Sequence, residues 1–285
     1  MLESIEIENY KSFANLKVEG FGKINLIVGP NNCGKTNLLE AIWMNNRVFD
    51  FRYLLGMLSI RFGGNLDLIE SFKAECQWLF HQDSKKNNHS ICMKSKINGY
   101  IRKLQLDFKN YSDDFSAPYL PSSIYPTTTI GTRNDQRISP YVANLEVNYE
   151  KEGDSSVQRK FNIPKTGELQ FPERIITDYP TEFISASGFA NGPHSGVRAH
   201  SKAFEMGLSN KLIQIISEVV PSIKGIEISA RNSYPQLMCS LAGWSKPIPF
   251  RFMGDGIRKI HFVGAYTLQC FNGAILIDEI EAHLH

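Results

Sequence analysis

Eight consecutive residues, Gly29-Pro30-Asn31-Asn32-Cys33-Gly34-Lys35-Thr36, fit the spacing G-x-x-x-x-G-K-[ST]. The chemistry of that pattern is phosphate binding. Glycine lets the backbone turn tightly and approach phosphate oxygens with no Cβ in the way. Successive N–H groups at the start of the following helix form an anion cradle on the positive end of its dipole. The Lys35 ammonium can reach the β- and γ-phosphates of a nucleotide, and the Thr36 hydroxyl can ligate Mg²⁺. The plain alternative is a glycine-rich turn capping an ordinary helix. Against it stand the apolar strand pattern before the loop and the apolar-faced helix pattern after it. Cys33 at a helix N-terminus has the setting of an activated thiol, and the simpler reading is a small side chain in a tight loop.

A second constellation lies at the other end of the chain. Ala274-Ile275-Leu276-Ile277 is an apolar run, and Asp278-Glu279 follows it directly. Two carboxylates at the C-terminal edge of a buried parallel strand occupy the ligand-facing edge of an α/β sheet. Next to the phosphate loop, Asp278 would hold Mg²⁺ opposite Thr36, through water. Glu279 would orient or deprotonate an attacking water. Enzymes that transfer phosphate to another substrate need no such acid, so the pair favours hydrolysis. Without the loop, the same two acids would read as ordinary loop chemistry. No N-K-x-D base-recognition pattern is present, which counts against a GTPase. His283 and His285 are spaced by two with no third ligand, a weak metal pattern.

The elements that must position these groups follow from periodicity. Ile5 and Ile7 alternate with Glu6 and Glu8, and Leu16 and Val18 alternate again, so two short strands are expected at the start. Lys23–Val28 reads as a third strand, covered on both faces. Lys35–Val48 reads as a helix with Leu38, Leu39, Ile42 and Trp43 on its apolar face. Leu66–Phe80 has helical spacing, and Asp107–Ser139 reads as a long polar loop. His89–Met93 with Tyr100–Phe108, around Asn98-Gly99, and Asn144–Tyr149 with Val157–Ile163, around Gly153-Asp154, read as two hairpins. Glu182–Ser187 reads as a strand returning to the core, Gly188–Arg198 as flexible, and Ala203–Val220 as one helix. Gly225–Ile228 and Pro235–Leu241 read as strands and Ile257–Cys270 as a helix before the acidic strand.

Composition narrows the class. The chain has 285 residues, 42% hydrophobic and 21% charged, with a formal net charge of +2. That is long enough to bury a core without disulfides. The five cysteines lack C-x-x-C spacing, which suits a reducing cytoplasm rather than a disulfide framework or zinc site. The N-terminus has neither the basic start nor the apolar core of a signal peptide. The apolar run Ile260–Ile277, free of Asp, Glu, Lys and Arg, carries His261, Gln269 and Asn272, and so suits a membrane span poorly. The balanced charge leaves DNA contact open through Arg198, Lys202, Lys211, Arg251, Arg258 and Lys259, which equally describe a solvated surface.

The motifs also carry a resemblance. Ile7-Glu8-Asn9-Tyr10-Lys11-Ser12-Phe13, with the phosphate loop and its continuation Asn37-Leu38-Leu39-Glu40-Ala41-Ile42, resembles the SMC/RecF-like ABC ATPases. Asp278-Glu279-Ile280-Glu281-Ala282-His283-Leu284-His285 is similar to the acidic motif of the OLD (overcoming lysogenization defect) group and related AAA-15/AAA-21 ATPases of bacteria. Phe252-Met253-Gly254-Asp255-Gly256-Ile257-Arg258-Lys259 resembles that group's ABC signature. The match is specific over 1–45 and 245–285.

The resemblance implies an α/β P-loop NTPase fold, an ABC-type head with a mostly parallel core sheet and an inserted antiparallel β-lobe. The head would span 1–285, with core and signature in 1–50 and 180–285 and the lobe in 85–165. It implies ATP with Mg²⁺, held by Gly29–Asn37 and by Asp278, and a homodimer with two nucleotides sandwiched. Gly254, Asp255 and Gly256 of one copy would meet the γ-phosphate bound by the other, and a plain turn with Asp255 as helix cap is the alternative. Lys11, Ser12 and Phe13 would lie near the nucleotide. Gln82 would match a γ-phosphate-sensing glutamine, and Arg47, Arg52 or Arg61 a phosphate-facing guanidinium, with surface roles as the alternative. Family members continue past the acidic motif with further strands, a switch histidine and, in OLD proteins, a Toprim nuclease domain. The expectation is therefore a head incomplete at its C-terminus. Its effector would be a nuclease or another separate subunit in phage defence or DNA repair. The competing reading is a nucleotide-binding regulatory module of a larger complex without significant hydrolysis of its own.

Overall fold

The computed structural model describes residues 1–47, 76–81, 90–109, 141–164, 179–184, 193–229 and 235–281. They belong to two compact units. One joins residues 2–37 with 48–176, and the other joins Met1 and residues 38–47 with 177–285.

The first unit is built on a six-stranded sheet, ordered β2-β1-β3-β4-β5-β6. Its strands are β1 (Leu2–Tyr10), β2 (Phe13–Glu19), β3 (Ser90–Ile97), β4 (Tyr100–Lys109), β5 (Tyr141–Lys151) and β6 (Val157–Pro164). Every pairing is antiparallel. The period-2 alternation sets the two faces. One row of partners runs Leu16–Ile7–Met93–Leu104–Tyr149–Val157 across all six strands. The adjacent row, facing the other way, runs Lys17–Glu6–Lys94–Lys103–Glu150. In that row Lys17 and Lys94 pair with Glu6 at 3.6 and 3.8 Å, and Lys103 with Glu150 at 3.4 Å. Exposed pairs of this kind contribute little to stability, being screened by solvent. Their larger effect is on register, because a one-residue slip would turn the charged row onto the apolar face.

Both expected hairpins form. Asn98 and Gly99 both have positive φ, 51° and 82°, as a two-residue primed turn requires. β3 pairs along β1, so the hairpins extend the N-terminal one into a single sheet. Phe80, next to a short 3-10 turn at Cys76–Leu79, meets Phe108 edge-on with centroids 5.0 Å apart. Of the helix expected at Leu66–Phe80, residues 66–75 lie outside the described residues, as do 110–139 of the expected polar loop.

Lys23–Val28 differs from expectation. It forms no ladder among the described residues, and Ile24, Leu26 and Val28 are 94%, 79% and 77% exposed. A local reason lies at Asn25. Its side-chain oxygen accepts from the Gly22 N–H at 2.8 Å and its amide donates to the Gly22 carbonyl at 2.9 Å. A side chain bonded to its own backbone competes with strand pairing.

The second unit contains residues 38–47, most of α1 (Lys35–Asn46). It also contains β7 (Thr181–Ile184), α2 (Pro193–Glu205), α3 (Ser209–Val219), α4 (Asp255–Gln269) and β11 (Ala274–Ile277). A small antiparallel sheet is formed by β8 (Ile223–Ser229), β9 (Gln236–Leu241) and β10 (Ile248–Pro249). β7 and β11 make a parallel pair, Leu276 opposite Phe183. α1 is buried nearly all round after Leu38, rather than along one face. The helix expected at 203–220 is two. The Gly207 N–H donates to the Phe204 carbonyl and the Leu208 N–H to the Ala203 carbonyl, with Gly207 left-handed at φ 71°. That double bond is a Schellman stop, which a glycine permits. Pro193–Arg198, expected to be flexible, is the start of α2. Val197, Ala203, Leu212, Ile216, Ile226, Leu237 and Phe250 form the core between these helices and the small sheet.

Candidate functional site

The phosphate-loop half of the site stands at the start of α1. Residues 29–33 are exposed, and Asn32 and Gly34 are left-handed at φ 63° and 97°. The Lys35 ammonium donates to the carbonyls of Gly29 and Pro30 at 2.8 and 2.9 Å. It therefore lies across its own loop, on two oxygens. Cys33 Sγ packs over Gly29, where an added Cβ would lie 2.8 Å from the sulfur. That matches the plain reading of Cys33 as a small loop residue.

The turn between β1 and β2 is seated against this loop. A Cβ on Gly34 would lie 2.7 Å from Ser12 Oγ and 2.9 Å from the Phe13 ring. Asn37 Nδ2 donates to Ser12 Oγ at 2.9 Å. Lys11 is left-handed at φ 48° and is pinned on both sides of its own peptide. Its N–H donates to the Leu79 carbonyl at 2.9 Å, and its carbonyl lies 3.1 Å from His81 Nδ1, which serves as donor. Ser12 and Phe13 thus touch the loop itself. Sequence reading missed His81, whose only signal was its place beside Gln82. Gln82 lies outside the described residues, as do Arg52, Arg61, His283 and His285.

The acidic half stands at the end of β11. The strand enters through a tight turn in which a Cβ on Gly273 would lie 1.9 Å from the Pro180 carbonyl oxygen, so only glycine fits. The ladder to β7 continues one residue past the strand, with the Asp278 N–H on the Ile184 carbonyl at 2.9 Å. Glu279 is the first residue beyond it. It is exposed and left-handed at φ 50°, so its side chain leaves the alternation of β11. Lys259, on α4, reaches underneath. Its ammonium donates to the carbonyls of Glu279 and Ile280 at 3.0 and 2.7 Å. Lys259 is 2% exposed. Burial pushes its ammonium down from the usual lysine range, opposed by the charges of Glu281 and Glu279. Lys259 is therefore no part of a solvated basic surface. Helical phase gave no signal for it, because Lys259 stands two residues before His261 and lies across α4 from His261, Gly264 and Ala265.

The third segment, Gly254-Asp255-Gly256, opens α4. Gly254 is the N-cap, with no side-chain capping bond. Its carbonyl accepts from the N–H groups of Ile257 and Arg258 at 3.1 and 3.2 Å. Asp255 is not the cap but pairs with Arg258 one turn on. Phe252, 72% exposed, carries the Arg251 guanidinium over its ring at 5.2 Å. Arg47, expected either at phosphate or on the surface, does neither. Its Nε donates to the Thr181 carbonyl at 2.8 Å and its Nη2 to Glu182 at 2.5 Å, which ties α1 to β7.

The phosphate loop and the acidic pair belong to different units. Among the described residues no group of three or more His, Cys, Asp or Glu side chains is placed to hold a metal ion, and no helix is long and apolar enough to cross a membrane. Arg198, Lys202, Lys211, Arg251 and Arg258 are exposed.

The chain is similar to several known proteins. An ATP/GTP phosphatase of Helicobacter pylori is 24% identical over 308 residues, covering 100% of this chain and 77% of that protein. The DNA replication and repair protein RecF of Clostridioides difficile is 38% identical over 72 residues, 25% of this chain and 19% of that protein. The DNA double-strand break repair Rad50 ATPase of Methanopyrus kandleri is 48% identical over 42 residues, 15% of this chain and 5% of that protein. A solved structure of the recombination mediator RecF with ATP aligns with a TM-score of 0.43 at 12% identity, over 100% of this chain and 86% of that one. The family model for the AAA ATPase domain matches residues 1–173, and the chain belongs to that ATPase family, an α/β P-loop fold.

Proposed function

We propose that this chain binds ATP with Mg²⁺ at Gly29–Asn37 and hydrolyses it with Asp278 and Glu279, and that two copies close around the nucleotide through Gly254, Asp255 and Gly256. The observation that carries the reading is the Lys35 ammonium on the carbonyls of Gly29 and Pro30. It is a cation already coordinated by two oxygens at the mouth of a loop with left-handed Gly34. Phosphate oxygens can take the place of those carbonyls at little cost in geometry, with a gain in charge. Asn37 and Ser12 brace the loop from behind.

The Thr36 hydroxyl and Asp278 carboxylate are hard oxygen donors, which fits Mg²⁺. When bound, the ion neutralises charge across the β- and γ-phosphates. Glu279 orients the attacking water and takes its proton. The open N-terminus of α4 offers a further anion site to the γ-phosphate of a second copy. Such closure would drive an effector, a nuclease or another subunit, in DNA repair or phage defence; the likeness to RecF and Rad50 supports the DNA-repair setting.

Phosphate release with Mg²⁺, nucleotide binding and mass by light scattering, measured on the chain and on Glu279→Gln, test the proposal. Turnover that vanishes in the variant while ATP stays bound and the dimer accumulates is the expected result. Binding without turnover in either protein would make the chain a nucleotide-binding regulatory module. Absence of binding overturns the proposal.

A further inference from the structure

We infer that Lys259 is a positioning residue, whose buried ammonium holds the peptide of Glu279 and Ile280 in place for hydrolysis and ties it to the helix that begins at Gly254. The inference rests on the reading of Glu279 proposed above.

Three observations converge on it. Lysine is almost never fully buried unless its charge is matched. Lys259 is buried, and two backbone carbonyls receive its ammonium at 3.0 and 2.7 Å. Those carbonyls belong to Glu279 and its successor, where the β7 ladder has already ended at Asp278. Glu279 is held at φ 50°. A left-handed conformation is unfavourable for a residue other than glycine and persists only where the surroundings impose it. Here the imposing group is the ammonium.

The placement of Lys259 on α4 adds a link. It follows Gly256 by three residues, about one helical turn. A ligand that shifts the start of α4 therefore shifts the group on which the Glu279 peptide rests. The neighbouring Arg258, exposed and paired with Asp255, has no such reach. The step needs no proton transfer by Lys259, which acts through Glu279.

The test compares Lys259→Met, Lys259→Arg and the unaltered chain by steady-state phosphate release, ATP binding and amide hydrogen exchange at 279–281. In Lys259→Met we expect kcat to fall roughly 10- to 100-fold, as a small misplacement of a catalytic group does. ATP affinity should stay within about threefold, since the loss is confined to the chemical step. Exchange at 279–281 should rise, and Lys259→Arg should recover part of kcat. A folded Lys259→Met with unchanged kcat and unchanged exchange overturns the inference. Should that variant fail to fold, Lys259→Gln takes its place, which keeps a donor but loses the charge, and unchanged kcat with unchanged exchange there overturns the clamp. Lack of turnover in the unaltered chain would sink the hydrolysis reading instead, and hydrogen exchange would still report on the clamp.

Discussion

Replacing Gly34 by alanine isolates what the phosphate loop needs from its backbone. Gly34 sits at φ 97°, and an added Cβ would come within 2.7 Å of Ser12 Oγ and 2.9 Å of the Phe13 ring. The dihedral alone costs an L-residue about 1–3 kcal/mol. Ser12 can rotate away, but its hydroxyl accepts from Asn37 Nδ2, and losing that bond costs about 0.5–1.5 kcal/mol. Together the loop conformation is disfavoured by roughly 2–4 kcal/mol. The preceding residues 29–33 are exposed, so the loop can relax into solvent without disturbing the sheet. Nucleotide must then restore the strained form. ATP affinity should therefore fall about 30- to 1,000-fold, at 1.4 kcal/mol per factor of ten. The unfolding midpoint without nucleotide should change little. Gly20→Ala is the control, because φ there is 80° with nothing within 4 Å of the added Cβ. It should cost stability through the dihedral and leave ATP binding unchanged. Calorimetric titration with ATP, beside thermal melts of all three proteins, decides the matter. Gly34→Ala binding ATP within about threefold of the unaltered chain would refute the argument.

Two further outcomes follow from the second unit. Gly273→Ala would place its Cβ 1.9 Å from the Pro180 carbonyl; backbone cannot yield as a side chain does, so the β7–β11 pair should open. We expect a loss above about 3 kcal/mol in urea unfolding, or no soluble protein. The second concerns His200 and His261, whose ring nitrogens lie 3.1 Å apart in the core, with Phe250 edge-on to His261 and the Ile226 backbone bonded to His200. Burial, then the neighbouring His200, pushes His261 from 6.5 down to about 3, and burial lowers His200. Both native values lie below the unfolded one, so the unfolded chain binds more protons as pH falls through 6.5. The pair's contribution is complete above that pH and is lost below it. Urea midpoints taken from about pH 7.5 to 5 should fall for the unaltered chain and flatten in His261→Gln, and parallel slopes would show that the pair does not titrate on unfolding.

How much of this was legible beforehand depends on whether the cause was local. The phosphate-loop and acidic motifs and the Asn98-Gly99 turn were read from short stretches because their chemistry is carried by those stretches. Gly207 was equally local, yet a single glycine inside an apolar period is tolerated in helices, so its Schellman stop did not stand out. Lys23–Val28 had the pattern of a strand but not a partner, and pattern reports only a tendency to be buried. Arg47 shows the same limit: its bonds to Thr181 and Glu182 span about half the chain. Arg258 and Lys259 state the limit most sharply. They are adjacent cations on one helix, and counting basic residues treats them alike. A helix turns about 100° per residue, and α4 buries Lys259, His261, Gly264 and Ala265 while Arg258 stays in solvent. By that phase Lys259 lies across α4 from His261, Gly264 and Ala265, and Arg258 falls on their side, so the periodicity of the helix did not mark Lys259 for burial. What covers Lys259 is a second contact, because Glu279 and Ile280 arrive from 20 residues further along, on an element of another kind.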